Sequence, residues 1–347
     1  MSARKVEQEI AAPHPRATME LFGHREAEMA LLDAYRSGRI PHAWLIGGAR
    51  GIGKATLAYR MARFVLAYRN PLLPSVQRAE SLAVDPSDPV ARQVAAGSHG
   101  GLLTLERSLN DKGVMRTVIT VDETRETISF FGSTAAVEGW RVCIVDTVDE
   151  LNPNAANALL KILEEPPQQS LFLLVSHAPG RVLTTLQSRC RRLPLRPLAT
   201  ADVIRAAALA TGVAADDPAL AEAAQAGEGS VARALTLLGD DALKLHQRTA
   251  ALLARLPQVD PRELHALGDA LGTSDRVALA AFVDSVDRWI GDRIRADQDA
   301  NANLPRLARL AEVWEKTVRA ARDTQDYNLE RKPLVFSVFG MLAEATR

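Results

Sequence analysis

Apolar residues in the first 200 positions follow two rhythms. Short runs (Ala43 to Ile46, Leu102 to Leu105, Val142 to Val145, Leu171 to Val175, Leu193 to Leu195) alternate with stretches whose apolar positions recur at helical spacing. Continuous short apolar runs suit strands covered on both faces, and their alternation with helices predicts a parallel sheet flanked by helices. Between the first two runs, Asn70 to Gly101 carries Pro71, Pro74, Pro86, Pro89 and Gly97 and reads as a loop-rich insertion.

After Pro197 the strand rhythm stops, and long Ala- and Leu-rich segments with helical spacing continue to Arg347. Turn signals at Gly212, Gly227 and Gly229, Gly239 to Asp241, Pro257 to Pro261 and Gly272 divide this half. The expected organisation is an α/β domain over 1–198, a small helical lid over 199–240 and an all-helical domain over 241–347. The stripe Leu279, Phe282, Val286, Trp289, Ile290 and Ile294 fits one helix face, with core packing the favoured reading over a partner groove.

The first strand runs into Gly48-Ala49-Arg50-Gly51-Ile52-Gly53-Lys54, which a helix with Leu57, Met61 and Val65 follows. This is the setting of a phosphate-binding loop, in which glycines let backbone N–H groups cradle phosphate oxygens and the Lys reaches the β- and γ-phosphates. The next position, normally the Ser or Thr that holds Mg²⁺, is Ala55. Thr56 keeps a hydroxyl and stays among the binding candidates, but one residue turns a helix by about 100°, which points it away from the metal. Binding and hydrolysis therefore separate: Gly48, Gly51, Gly53 and Lys54 leave an anion cradle, while the metal ligand is lost.

The strand Arg141 to Val145 ends in Asp146, the form of a Walker B carboxylate, and Thr147 follows where a hydrolytic enzyme carries Glu. A Thr hydroxyl is too weakly basic to activate water at neutral pH. Asp149 and Glu150 read as solvated or capping residues of the turn beyond. Asn152 as N-cap, Pro153 in the first turn and Pro166-Pro167 at the end bound the next helix, with Ala156, Leu159, Leu160 and Leu163 inward and Asn157, Lys161, Glu164 and Glu165 outward. Ser176 closes the fourth strand, where its hydroxyl can satisfy backbone groups, and His177 reads as a turn residue rather than a catalyst.

Composition narrows the class. The chain has 347 residues, 47% of them hydrophobic, and a formal net charge of zero, so nothing argues for autonomous tight binding to nucleic acid or an anionic membrane. No helix-turn-helix signature or basic stripe supports a sequence-specific DNA-binding regulator. Met1 to Ala17 lacks an apolar signal region and no run reaches a membrane-spanning length, so the expected location is cytoplasmic. Cys143 and Cys190 are too few for a disulfide framework or a four-cysteine zinc module, and Cys143 reads as a small buried hydrophobe.

Asn157-Ala158-Leu159-Leu160-Lys161-Ile162-Leu163-Glu164-Glu165-Pro166-Pro167 closely resembles the hallmark segment of bacterial clamp-loader AAA+ subunits. Ser188-Arg189-Cys190 resembles their SRC motif, and Leu21-Phe22-Gly23-His24 with Gly38 to Ala43 resembles their approach to the phosphate loop. The degenerate site, the insertion, Phe130-Phe131-Gly132-Ser133-Thr134 and Asn328-Leu329-Glu330-Arg331-Lys332 resemble the delta prime branch, alphaproteobacterial in type.

This resemblance implies an α/β P-loop AAA+ domain, a helical lid and a helical collar. It implies assembly with gamma/tau and delta subunits into a loader that places a sliding clamp on primed DNA within a nucleotidyltransferase holoenzyme. By the same resemblance Arg189 is an arginine finger acting in trans on the γ-phosphate held by a neighbouring ATPase; the competing local reading is an Arg bonded to helix-end carbonyls. The resemblance also puts Ser176 where the family has a polar sensor of the γ-phosphate, a reading of equal weight to the satisfaction of backbone groups. Any ATP bound by this chain is expected to be weakly held and not hydrolysed, and no zinc is expected. The lid pattern Gly-Ser-x-Arg is broken, because Gly229-Ser230-Val231 precedes Ala232 and the arginine is Arg233. A catalytically active AAA+ ATPase of the gamma/tau type is the alternative; it needs metal and water handled without the usual hydroxyl and Glu.

Overall fold

The computed structural model describes residues 13–108, 116–132, 139–273, 276–297, 304–327 and 329–346. Ser133, Thr134 and Asn328 lie outside the described residues. The chain forms two compact units: residues up to Asp216 together with Gly227–Ala232, and Asp217–Ala226 together with the residues from Arg233 onward.

In the first unit the elements run α1 (Arg25–Arg36), β1 (Ala43–Gly47), α2 (Lys54–Ala67), α3 (Pro74–Gln77), α4 (Pro89–Ala96), β2 (Leu102–Leu105), α5 (Val121–Gly132), β3 (Arg141–Asp146), α6 (Pro153–Glu164), β4 (Ser170–Ser176), α7 (Thr184–Gln187), β5 (Arg191–Pro194) and α8 (Thr200–Thr211). The five strands lie in the order β2-β3-β4-β1-β5, and every pairing is parallel. This is the expected parallel sheet with flanking helices.

Alternate residues of each strand feed opposite layers. Trp44, Ile46, Val142, Ile144, Leu171, Leu173 and Val175 face a core with Leu31 of α1, Leu57 of α2 and Val94 of α4. Ala43, Leu45, Cys143, Val145, Phe172 and Leu174 face Phe131 of α5, Leu159 of α6 and Leu186 of α7. Both faces are covered, which is why the strands read as unbroken apolar runs. Burial pushes the Cys143 thiol up to about 12, so it serves as a buried hydrophobe.

The loop-rich insertion also carries two short helices, α3 and α4, the latter started by Asp88 Oδ1 accepting from Val90 N at 2.7 Å, with Pro89 at the first helical position. One expectation needs correction here. β5 spans Arg191–Pro194 rather than Leu193 to Leu195, because its register runs from Trp44↔Arg191 to Gly47↔Pro194. Pro194 is tolerated there because β5 is an edge strand.

The second unit is built from α9 (Pro218–Ala226), most of α10 (Val231–Leu237), α11 (Asp240–Ala254), α12 (Pro261–Thr273), α13 (Arg276–Asp297), α14 (Leu304–Asp326) and α15 (Arg331–Thr346). Its core gathers Leu252, Leu267, Phe282, Val286, Ile290, Val335 and Phe339, so the α13 stripe packs inward as expected, with Trp289 and Ile294 at its margin. The break signalled at Gly272 is present: α12 ends at Thr273 and α13 begins at Arg276.

One buried ion pair fastens the layer over the first core. Glu28 of α1 accepts from Arg60 Nε of α2 at 2.6 Å and from the Leu82 amide of the insertion at 3.0 Å. Glu28 and Arg60 are each 8% exposed. Removing one partner strands the other charge, so Glu28→Ala is expected to cost about 3 kcal/mol in urea unfolding. A loss below about 1 kcal/mol, the range of an exposed pair, contradicts this account.

Candidate functional site

The carboxyl ends of β1, β3 and β4 converge. Gly47 pairs with Ser176 and Val175 with Asp146, so the phosphate loop, Asp146 and Ser176 share one edge of the sheet. Ligand sites of open α/β sheets form at this edge. Gly48 N donates to Ser176 O at 3.2 Å, tying the loop's start to β4. Glycine is required at two places. A Cβ on Gly48 would lie 2.5 Å from Leu195 O, and Gly51, at φ +75°, would place one 2.3 Å from Ser230 Oγ. Gly53 caps α2 with φ 97°.

The loop is closed by its own chain. Gly51 O accepts from Val231 N at 2.9 Å and more weakly from Ala232 N at 3.4 Å, bringing the broken lid pattern onto the phosphate loop. His24 Nε2 lies 2.6 Å from Ile52 O. A carbonyl can only accept, so this ring nitrogen carries the proton and ties the N-terminal approach to the loop. Burial lowers the His24 pKa.

Lys54 is only 3% exposed, and its Nζ donates to Gly48 O at 2.7 Å and to Ala49 O. Desolvation brings the ammonium down to about 8, against the pull of Asp146 and Asp149. Asp146 is held above the usual carboxylate range, chiefly by burial and then by Glu106, with Lys54 opposing. Ala55 and Thr56 are half-buried at the start of α2. Thr147 is 4% exposed and its buried Oγ1 has no hydrogen-bond partner among the described residues.

Asp149 is more than a solvated turn residue, which corrects the sequence reading. Ser176 Oγ donates to its Oδ1 at 2.8 Å and His177 N to its Oδ2 at 2.5 Å, so the 3₁₀ turn Val148–Glu150 is buckled to the end of β4. Ser176 thus satisfies a carboxylate rather than a backbone group. His177 is depressed to about 4 by burial and by the nearby Lys54 and Arg50 charges, so it is neutral at ordinary pH. Glu150 pairs with Arg107 at 2.9 Å. The signal that could have found Asp149 is its position in the turn directly beyond β3, facing the end of a neighbouring parallel strand.

Arg189 joins none of these groups. It follows α7, where Nη1 donates to Thr185 O at 2.9 Å and Nη2 to Glu164 Oε1 of α6 at 2.6 Å. Its side chain is 34% exposed. The helix-end carbonyl contact is therefore present together with an ion pair that the sequence did not announce. Asn152 Oδ1 accepts from Ala155 N at 2.8 Å, giving α6 the start its sequence predicted. In the second unit Arg233 is 8% exposed, with Nε 3.2 Å from Asp284 Oδ2.

The Lys54 environment sets a pH dependence. The unfolded side chain holds its proton up to the ordinary value of 10.5, and the folded one releases it near 8. Between these values the unfolded chain binds more protons, so this group makes stability rise with pH across that window. Lys54→Met removes the contribution, so wild type should gain on the variant between pH 7.5 and 10 in urea unfolding. Parallel profiles contradict the burial of a charged ammonium.

A family model described as "DNA polymerase III, delta subunit" matches residues 23–199. The chain is 36% identical over 149 residues to DNA polymerase III subunit delta' of Pseudomonas aeruginosa, covering 43% of this chain and 41% of that protein. It is 28% identical over 327 residues to DNA polymerase III subunit gamma/tau of Mycobacterium tuberculosis, covering 91% of this chain and 53% of that protein. The chain thus spans about half the length of the curated relatives it matches. A solved DNA polymerase III gamma subunit-related protein of Thermotoga maritima is 16% identical, with a TM-score of 0.43 over 91% of this chain and 99% of that chain. No described helix is long and apolar enough to cross a membrane. With the family match covering half of its length, the chain belongs to the DNA polymerase III delta-subunit family, as a clamp-loader subunit of the delta prime type.

Proposed function

We propose that this chain is the stator of a DNA polymerase III clamp loader, which lends Arg189 in trans to ATP held by a neighbouring ATPase subunit. In this reading its partners are gamma/tau and delta subunits, and it meets the sliding clamp and primed DNA through the complex. A lid over 199–240 and a collar over 241–347 complete the proposed organisation, the collar being the surface for assembly. The observation that carries the reading is the division of labour between two cations. Lys54 is buried against carbonyls of its own loop, and Arg189 is held apart from that loop on a partly exposed corner.

The loop fits an anion better than a metal. Gly48, Gly51, Gly53 and Lys54 could cradle phosphate oxygens. A Mg²⁺ shell is not supported, because Ala55 supplies no oxygen, burial raises the Asp146 carboxyl, and Thr147 is no general base. Nucleotide here would be held weakly and not turned over. Arg233, which stands nearest the expected lid arginine, is engaged with Asp284 of the second unit. Arg189 would act as a fixed positive charge opposite the γ-phosphate, stabilising the charge that develops during transfer to water.

The similarity to gamma/tau over 91% of the chain favours a second reading, in which this subunit is itself an ATPase. The reconstituted loader, turning over ATP with clamp and primed DNA, separates the two. Arg189→Ala in this chain should lower the steady-state rate about tenfold or more, while Lys54→Ala leaves it within about twofold, since this loop performs no hydrolysis. A rate lost through Lys54→Ala and kept through Arg189→Ala overturns the stator reading.

A further inference from the structure

We propose that Glu164 is the positioning residue for Arg189, fixing the guanidinium in the orientation in which it meets the neighbour's nucleotide. This rests on the finger reading given above. The hallmark helix then has a task beyond packing: it carries the carboxylate that aims the finger.

Three observations support the assignment. First, Glu164 is the last residue of α6, where the negative end of the helix dipole disfavours a carboxylate, and no local helix-capping need explains its charge. Second, the two contacts grip different nitrogens of one planar fork: Nη2 reaches Glu164 Oε1 at 2.6 Å, Nη1 reaches Thr185 O at 2.9 Å, and Ser188 Oγ lies 3.5 Å from Nη1. Anchoring both ends fixes the plane of a side chain that otherwise samples many rotamers. One N–H each goes to Glu164, Thr185 and Ser188, which leaves Nε–H and one Nη2–H to donate to a phosphate.

Third, both anchors stand on braced ground. Asn152 caps the start of α6, and Leu159 and Leu163 bury its inner face. Gln187 at the end of α7 donates to Val182 O at 2.6 Å and accepts from Arg192 Nη2 of β5 at 2.7 Å. The Glu164 side chain itself is half exposed, so the pair adds little to folding stability, and its removal should register in turnover.

A double-mutant cycle in the reconstituted loader tests this, with wild type, Glu164→Ala, Arg189→Ala and the double variant of this chain. Glu164→Ala should lower kcat about tenfold, less than the roughly hundredfold that misplacement by a full ångström can cost, because Thr185 O still holds the guanidinium, with KM for ATP unchanged. The double variant should be no slower than Arg189→Ala alone, because Glu164 acts only through Arg189. Glu164→Gln, which keeps the accepting oxygen and the shape, should recover part of the loss and guards against a folding defect. An unchanged or raised kcat in Glu164→Ala, or losses that multiply in the double variant, overturns the assignment. An Arg189→Ala loader at wild-type turnover overturns the finger reading, and this assignment with it.

Discussion

The carboxyl edge of the sheet is organised around one buried ammonium. Lys54 cannot be solvated where α2 begins, so it donates its hydrogen bonds to Gly48 O and Ala49 O, and these curl the loop onto itself. Its field reaches outward. It opposes the burial of Asp146 and depresses His177, while Asp146 and Asp149 offset part of the cost of its own charge. Gly48 and Gly51 follow from the same closure, since the backbone of Leu195 and the Ser230–Ala232 segment leave no room for a side chain. A loop satisfied internally in this way has less to gain from a nucleotide than one whose lysine has no other partner.

Arg189 has the opposite design. Arg189 lies on a corner between α7 and β5, with its donors shared between protein partners and the outside. In the proposed reading the two cations divide roles that a hydrolytic subunit combines with a metal and a base. α6 links the designs: its inner face builds the core beneath β3 and β4, and its last residue reaches Arg189. The hallmark segment is therefore both a packing element and a platform.

Much of this was legible in the sequence, for reasons local to it. Strands buried on both faces write unbroken apolar runs, and Asn152-Pro153 writes a helix start that geometry bears out. The α13 stripe showed its inward face. What was not legible depends on contacts between distant residues. Ser176 and Asp149 meet because parallel strands bring their ends level, and Glu164 meets Arg189 across 25 positions. No propensity encodes either pairing. The helices of the insertion were obscured by its prolines, which here begin helices rather than break them.

In the proposed reading this chain serves a neighbour's nucleotide rather than its own. Electron cryomicroscopy of the assembled loader on clamp and primed DNA, trapped with ADP and beryllium fluoride, tests it directly. The Arg189 guanidinium should lie within hydrogen-bonding distance of the γ-phosphate mimic in an adjacent subunit, with Glu164 still on its Nη2. A mimic with its metal bound in the Gly48–Lys54 loop of this chain, and Arg189 turned away from every neighbouring nucleotide, would contradict it.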